Sequence, residues 1–192
     1  MFGLSFTLWT AAIVVMLVAI ALTLVSARIK TPVLGAAAAS PVLVGLLAYA
    51  LGFDVAPPHP VYASLVALGI GALGATAGSP LTLFILGLAE KNSVRTGLHG
   101  GIFTVTSAED ATVRVQKEVL RGGATIGYLE RIAVLGCIVS GQFEGLAVIV
   151  AIKGLGRFSE LDSPEARERF IIGTLVSITW ACAAGALIML TI

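Results

Sequence analysis

The stretch 132-IAVLGCIVSGQFEGLAVIVAI-152 decides the fold, because it has the length of one membrane span yet carries Gln142 and Glu144 near its middle. An acid at the centre of a lipid-facing helix costs about 2.5–3.5 kcal/mol even on the gentler insertion scale. Read as a single span, the stretch gives five crossings and sets Lys153, Arg157, Arg167 and Arg169 opposite Arg28 and Lys30, against the positive-inside rule. Read as a hairpin that reverses at Ser140-Gly-Gln-Phe-Glu-Gly145, it gives two arms of roughly 16–18 residues, about 24–27 Å each. Gly141 and Gly145 permit the reversal, Gln142 and Glu144 reach water or headgroups, and every Lys and Arg falls on one side. A helical hairpin at 123–158 therefore satisfies both constraints and predicts six membrane segments, both termini outside and a basic cytoplasmic face. Arms this short for two full crossings also allow a thin or partly re-entrant hairpin whose turn is buried in protein.

Composition points the same way. A mean hydropathy of +1.00, with 57% hydrophobic and 12% charged residues, does not suit a water-facing domain, which carries about 25% charge. The lipid bilayer is the expected partner, and a net charge of +1 implies no nucleic acid. Cys137 and Cys182 sit in apolar runs with no CxxC or Cys/His spacing, so neither a disulfide framework nor a metal is expected. No cofactor motif is present: the glycines around 97–101 form no phosphate-binding signature, and no Ser/His/Asp order is credible.

Working outward from the hairpin, residues 2–27 form a first span closed by Arg28 and Lys30. They lack a basic n-region, and at about 25 residues they exceed a signal h-region of about 7–15, so they read as a permanent span. Residues 32–52 are a second span, kinked or restarted at Pro41; three prolines between Asp54 and Pro60 forbid helix there. A third span covers 61–79, with a break expected at Ser79-Pro80 before an interfacial segment to Ala89. The segments 34-LGAAAASP-41 and 73-LGATAGSP-80 match at most positions, a faint repeat that Ala/Gly-rich membrane helices also produce by chance. Residues 90–122 are a polar cytoplasmic connector within a single membrane domain, 1–192. In it, Ser107-Ala-Glu-Asp110 reads as a capping box that opens a helix toward Leu120. The last span, 170–190, carries Gly173, Ser177, Ala181 and Gly185 four apart, a small-residue stripe for helix packing within the chain or between subunits. The fold class is thus an all-α polytopic bundle of five or six membrane segments.

Four charges near the cytoplasmic ends of the hairpin arms are the leading site candidates. Lys153 and Arg157 share one helix face, and antiparallel arms bring Glu130 level with one of them, beside Arg131. Such a group is either an ion or anionic-headgroup site, or an interhelical ion pair with snorkelling cations that fixes depth. Gln142 and Glu144 form a secondary candidate as a cation or proton site, against the reading as a solvated turn. His59 and His99 lack ligand partners in the sequence, so no metal is assigned to either.

The motifs 121-RGG-123, 126-IGYLER-131, 151-AIKGLGRFSEL-161 and 168-ERFIIGTLVS-177 resemble those of a family of small bacterial membrane proteins whose function is not known. The resemblance covers about the last third of the chain and implies a multi-pass protein of the bacterial cytoplasmic (inner) membrane; it transfers no activity or catalytic residue. The residues themselves favour a non-enzymatic protein that works by packing in a homo-oligomer or with the subunits of a larger membrane assembly. The alternative is a small ion or solute transporter or channel that uses the hairpin charges. A lipid-headgroup enzyme ranks third, for want of a paired-carboxylate or metal cluster.

Overall fold

The computed structural model describes residues 2–89, 102–105, 116–119, 123–157 and 163–192. Among them lie eight helices: α1 (Phe2–Ile29), α2 (Pro32–Ala37), α3 (Ser40–Ala50), α4 (Pro60–Thr76), α5 (Gly78–Ala89), α6 (Gly123–Val139), α7 (Glu144–Arg157) and α8 (Pro164–Thr191). Gly3–Ile29, Pro32–Ala50 and Pro164–Thr191 are long and apolar enough to cross a membrane, and the bent pair α4 and α5 makes a fourth if it counts as one span.

Proline explains both interrupted helices. Its ring meets the carbonyl four residues back and it has no N–H to offer. Four residues before Pro41 is Ala37, where α2 ends, and four before Pro80 is Thr76, where α4 ends. The break expected at Ser79-Pro80 therefore lies one turn earlier, at Ala77, and Pro80 sits in the first turn of α5; α4 and α5 meet at a bend of 45°. The two interrupted stretches touch, since a Cβ at Gly35 of α2 would overlap Pro80 of α5 and Ser26 of α1.

Helix α1 buries Met16, Ala19, Thr23 and Ser26, a stripe at helical spacing, and turns Leu4, Val14, Leu17 and Leu24 outward. Thr23 Oγ1 lies 3.4 Å from Thr76 Oγ1 on α4, and a Cβ at Gly69 would sit 3.0 Å from that of Met16. Helix α4 runs through the middle, burying Val66, Ile70 and Leu73 against α1 and α8. Trp180 Nε1 of α8 donates to Leu73 O at 3.3 Å, as a buried indole must find an acceptor. At one end of the bundle, Ser5 Oγ and Trp9 Nε1 donate to the carbonyls of Ala56 and Val55, tying the proline-rich turn to the start of α1. His59 is the N-cap of α4, its Nδ1 accepting from Val61 N at 3.3 Å.

Helices α6 and α7 are joined by a tight turn. Gly141 has φ +71°, its N–H donates to Ile138 O, and the next N–H, of Gln142, donates to Cys137 O at 2.8 Å. This is a Schellman stop with glycine in the left-handed position that side chains avoid. The two helices run back antiparallel, with Cys137 against Gly145 near the turn and Glu130 paired with Lys153 at the open end.

The polar segment between α5 and α6 differs from the expected helix. Ser107 to Asp110 lie outside the described residues, but Gln116–Val119 form strand β2, antiparallel to strand β1 (Ile102–Val105), with Phe103 opposite Glu118. Ile102, Phe103, Thr104 and Val105 are each β-branched or aromatic, and Val119 ends the partner strand; such residues favour an extended pleat over a helix. The all-α class therefore carries one small two-stranded exception.

Candidate functional site

Arg131 is the most deeply buried charge among the described residues, with 2% of its surface exposed. It projects from α6 into the break between α4 and α5. Its Nε donates to Ala75 O at 2.7 Å, Nη2 to Ser79 Oγ at 2.8 Å and Nη1 to Ser177 Oγ at 3.3 Å, and Cζ lies 5.0 Å from the Tyr128 ring centroid. Ala75 stands at the C-terminal end of α4, where helix carbonyls carry partial negative charge, so a cation is favoured there. The fit requires glycine: a Cβ at Gly78 would stand 2.5 Å from Arg131 Cδ. All three hydrogen-bond partners are neutral. Among the described residues no carboxylate is hydrogen-bonded to it, so the charge is solvated chiefly by dipoles and a ring face.

The neighbouring Glu130 faces α7 and pairs through Oε2 with Lys153 Nζ; its side chain is 4% exposed and that of Lys153 16%. Lys153 Nζ also lies 5.9 Å from the Phe170 ring centroid on α8. The second carboxylate oxygen, Glu130 Oε1, is buried with no partner among the described residues, and so are Thr82 Oγ1 on α5 and Thr174 Oγ1 on α8.

These three atoms belong to residues that line one cavity of about 390 Å³ between α5, α6, α7 and α8, within the size range of small-molecule sites. Its walls are apolar, from Leu83, Leu86, Ile126 and Phe170, and its polar features are the Arg131, Glu130 and Lys153 cluster, Arg169, Ser177 and the two threonines. Helix α7 leans on α6 rather than on α5 or α8, so the cavity is a cleft whose sides are not sealed by helix packing. Small residues make room for it. A Cβ at Gly173 would lie 3.4 Å from Thr82 Cγ2, already at contact distance.

Of the expected site residues, Glu130, Arg131 and Lys153 meet in this cavity. Arg157 closes α7, and its side chain lies outside the described residues. Gln142 and Glu144 are exposed in the turn at the far end of the hairpin, away from the cluster. The stripe on α8 packs within the chain: Gly173 on Thr82 and Leu86, Ser177 on Arg131, and Gly185 on Ile138, where a Cβ would come within 2.9 Å; Ala181 is fully buried. Ser79, Thr82, Tyr128, Phe170 and Thr174 were not singled out from the sequence; hydroxyls inside otherwise apolar helices were the available signal. Among the described residues no group of three or more His, Cys, Asp or Glu stands placed to hold a metal ion.

Contacts also fix which charges share an end of the bundle. Arg28 and Lys30 follow Ser26, which meets α2 at Gly35; Gly35 meets Pro80 of α5; and α5 meets Arg131 and Gly173. The Lys153 end of α7 and the Arg167 to Arg169 start of α8 lie at that same end, opposite Trp9, Val55 and Gln142. No family model, no curated protein and no solved structure matches the chain.

Proposed function

We propose that the chain is a non-enzymatic, multi-pass protein of a bacterial cytoplasmic membrane that admits a small charged solute or ion into the cleft between α5, α6, α7 and α8. In this reading α6 and α7 cross as a pair, giving six membrane segments, with both termini outside and the basic end in the cytosol. The observation that carries it is the cleft of about 390 Å³ walled by the buried Arg131, whose described hydrogen-bond partners are all neutral, and by the Glu130–Lys153 pair, with three buried polar atoms in its wall residues that have no partner among the described residues. Each such atom costs about 1–3 kcal/mol if nothing meets it, and a structural Glu130–Lys153 pair gives no reason for the cost at Thr82 and Thr174. An interrupted helix beside the cavity adds support, because broken spans at membrane depth are where ion and solute sites are built.

Packing in an oligomer or larger membrane assembly is the second reading. The α8 stripe is spent within the chain, but Gly136 on α6 and Gly154 on α7 have open space where a Cβ would be, which suits close approach by another helix.

Flux measurements on purified protein in liposomes separate the two. The double variant Glu130→Gln/Lys153→Met removes both charges of the pair, so neither is stranded, and once its folding is checked by Tm it should abolish ion or solute flux. Wild-type flux in that variant, or a wild-type protein that conducts nothing and purifies with a stable partner, overturns the transport reading in favour of assembly.

A further inference from the structure

Among the described residues α7 is the one helix that buries none, and its two halves are held differently. In the half next to the turn, Leu146 and Ile149 pack on the buried Val134, Ile138 and Ala181. A Cβ at Gly145 would fall 2.5 Å from Cys137 Sγ, so α7 lies close on α6 there. In the other half, Val150, Ile152 and Leu155 are exposed, Leu155 with 79% of its surface. The described tie between this half and the rest of the bundle is Lys153, which pairs with Glu130 of α6 and lies 5.9 Å from the Phe170 ring centroid on α8. Gly154 and Gly156 flank Leu155, and a Cβ at either would meet nothing. Packing within the chain does not call for these glycines, and each weakens the helix that carries it.

We propose that the second half of α7, from Val150 onward, is a flap over the cleft, fixed at Leu146 and Ile149 and latched by the Glu130–Lys153 pair; this rests on the cleft being a site of entry and adds how it is entered. Ile152, Lys153 and Gly156 line the cleft from this half, facing a wall that includes Leu83, Leu86 and Phe170, so an outward swing widens it. A segment with few buried contacts and a weak helix opens locally while the rest stays folded. The turn end is held by apolar packing, which a tilt of the far end leaves in place. The latch works the other way: opening parts two charges that satisfy each other when closed, and that cost keeps the flap shut.

Geometry leaves room for the movement. Beyond Ile149 the helix continues for about 12 Å, and a modest tilt carries its tip by about 5 Å. The chain from Arg157 to Pro164 has six residues between them, enough to follow such a displacement.

Spin labels on full-length protein in liposomes read this movement as distances. With Cys137 and Cys182 replaced by alanine, labelled cysteines are placed at Leu155 on the flap, Val148 on the fixed half and Leu17 on α1, each paired with one at Leu175 on α8; all four positions are exposed. In Glu130→Gln/Lys153→Met, which removes the latch and strands neither charge, the Leu155–Leu175 distance should lengthen by about 5 Å while Val148–Leu175 and Leu17–Leu175 hold. Where that variant fails to fold, the protein with its pair intact decides: Leu155–Leu175 should contain a minor longer component that Val148–Leu175 lacks, and a single component in both overturns the flap. In the folded double variant, an unmoved Leu155 assigns the hold to other contacts, Arg169 among them, and overturns the latch. A Val148 distance that changes as much as that of Leu155 shows α7 leaving as a whole, and a changed Leu17 distance shows the pair holding the entire bundle; either overturns the proposal. Flux lost in the double variant with Leu155 unmoved removes the flap and leaves the transport reading standing, whereas a flap that moves in a protein that conducts nothing removes the transport reading alone.

Discussion

Arg131 Nε reaches Ala75 O at 2.7 Å across 56 residues of chain, so a cation on α6 holds the C-terminal end of α4 where Pro80 prevents the helix from continuing. Lysine at this position keeps the charge but has one nitrogen instead of a three-nitrogen fork. Arg131→Lys should therefore lose two of the three bonds and destabilise the protein by about 1–3 kcal/mol, read as a lower Tm in detergent. An unchanged Tm would mean that the fork does not hold the bend.

Gly78 tests the same device from the other side. A Cβ there falls 2.5 Å from Arg131 Cδ and 2.8 Å from Nε, atoms already pinned by hydrogen bonds, so they cannot swing aside cheaply. Gly78→Ala should destabilise about as much as Arg131→Lys. In an Arg131→Ala background the same change should be nearly neutral, a non-additivity that a double-mutant cycle by thermal denaturation measures directly.

The pair at the mouth of the cleft predicts an asymmetry. Removing one member of a buried pair strands the other, at about 3–5 kcal/mol when it is fully enclosed. Glu130 is 4% exposed and Lys153 16%, so the stranded lysine can reach water along its stem and the stranded carboxylate cannot. Lys153→Met should lower Tm more than Glu130→Gln, and the double variant should recover part of the loss. Equal effects of the two single changes would count against the burial difference.

Membrane topology is open to chemical labelling. In a variant with Cys137 and Cys182 replaced by alanine, a cysteine at Gln142, exposed in the α6–α7 turn, should react with an impermeant thiol reagent added to intact cells. A cysteine at Ser159 should react only after the membrane is opened. Reaction of the second from outside would reverse or break the proposed six-segment arrangement.

How far the sequence leads depends on how local the cause is. Apolar length made α1, the α2–α3 stretch and α8 readable as spans, and Gly141 marked where α6 stops because glycine takes φ +71° without strain. The α4–α5 break was readable but misplaced by one turn, since the effect of Pro80 falls on the carbonyl of Thr76 and not on proline itself. Ser107-Ala-Glu-Asp110 carries a capping pattern, yet Gln116–Val119 pair with Ile102–Val105, and pairing between strands is not encoded in a local signal. The cleft was half legible. Charges in apolar surroundings drew notice to Glu130, Arg131 and Lys153, whereas Thr82 and Thr174 are ordinary residues in apolar helices until the fold leaves their hydroxyls unpartnered.

Because Gly35 rests on Pro80, the weak joint of one interrupted span is seated on the weak joint of the next. Neither can shift at this point unless the other gives way, and Ser26 near the C-terminal end of α1 stands against the same glycine. Any movement that widens or narrows the cleft by way of α5 is therefore geared to α1 and α2, neither of which contributes a residue to its lining.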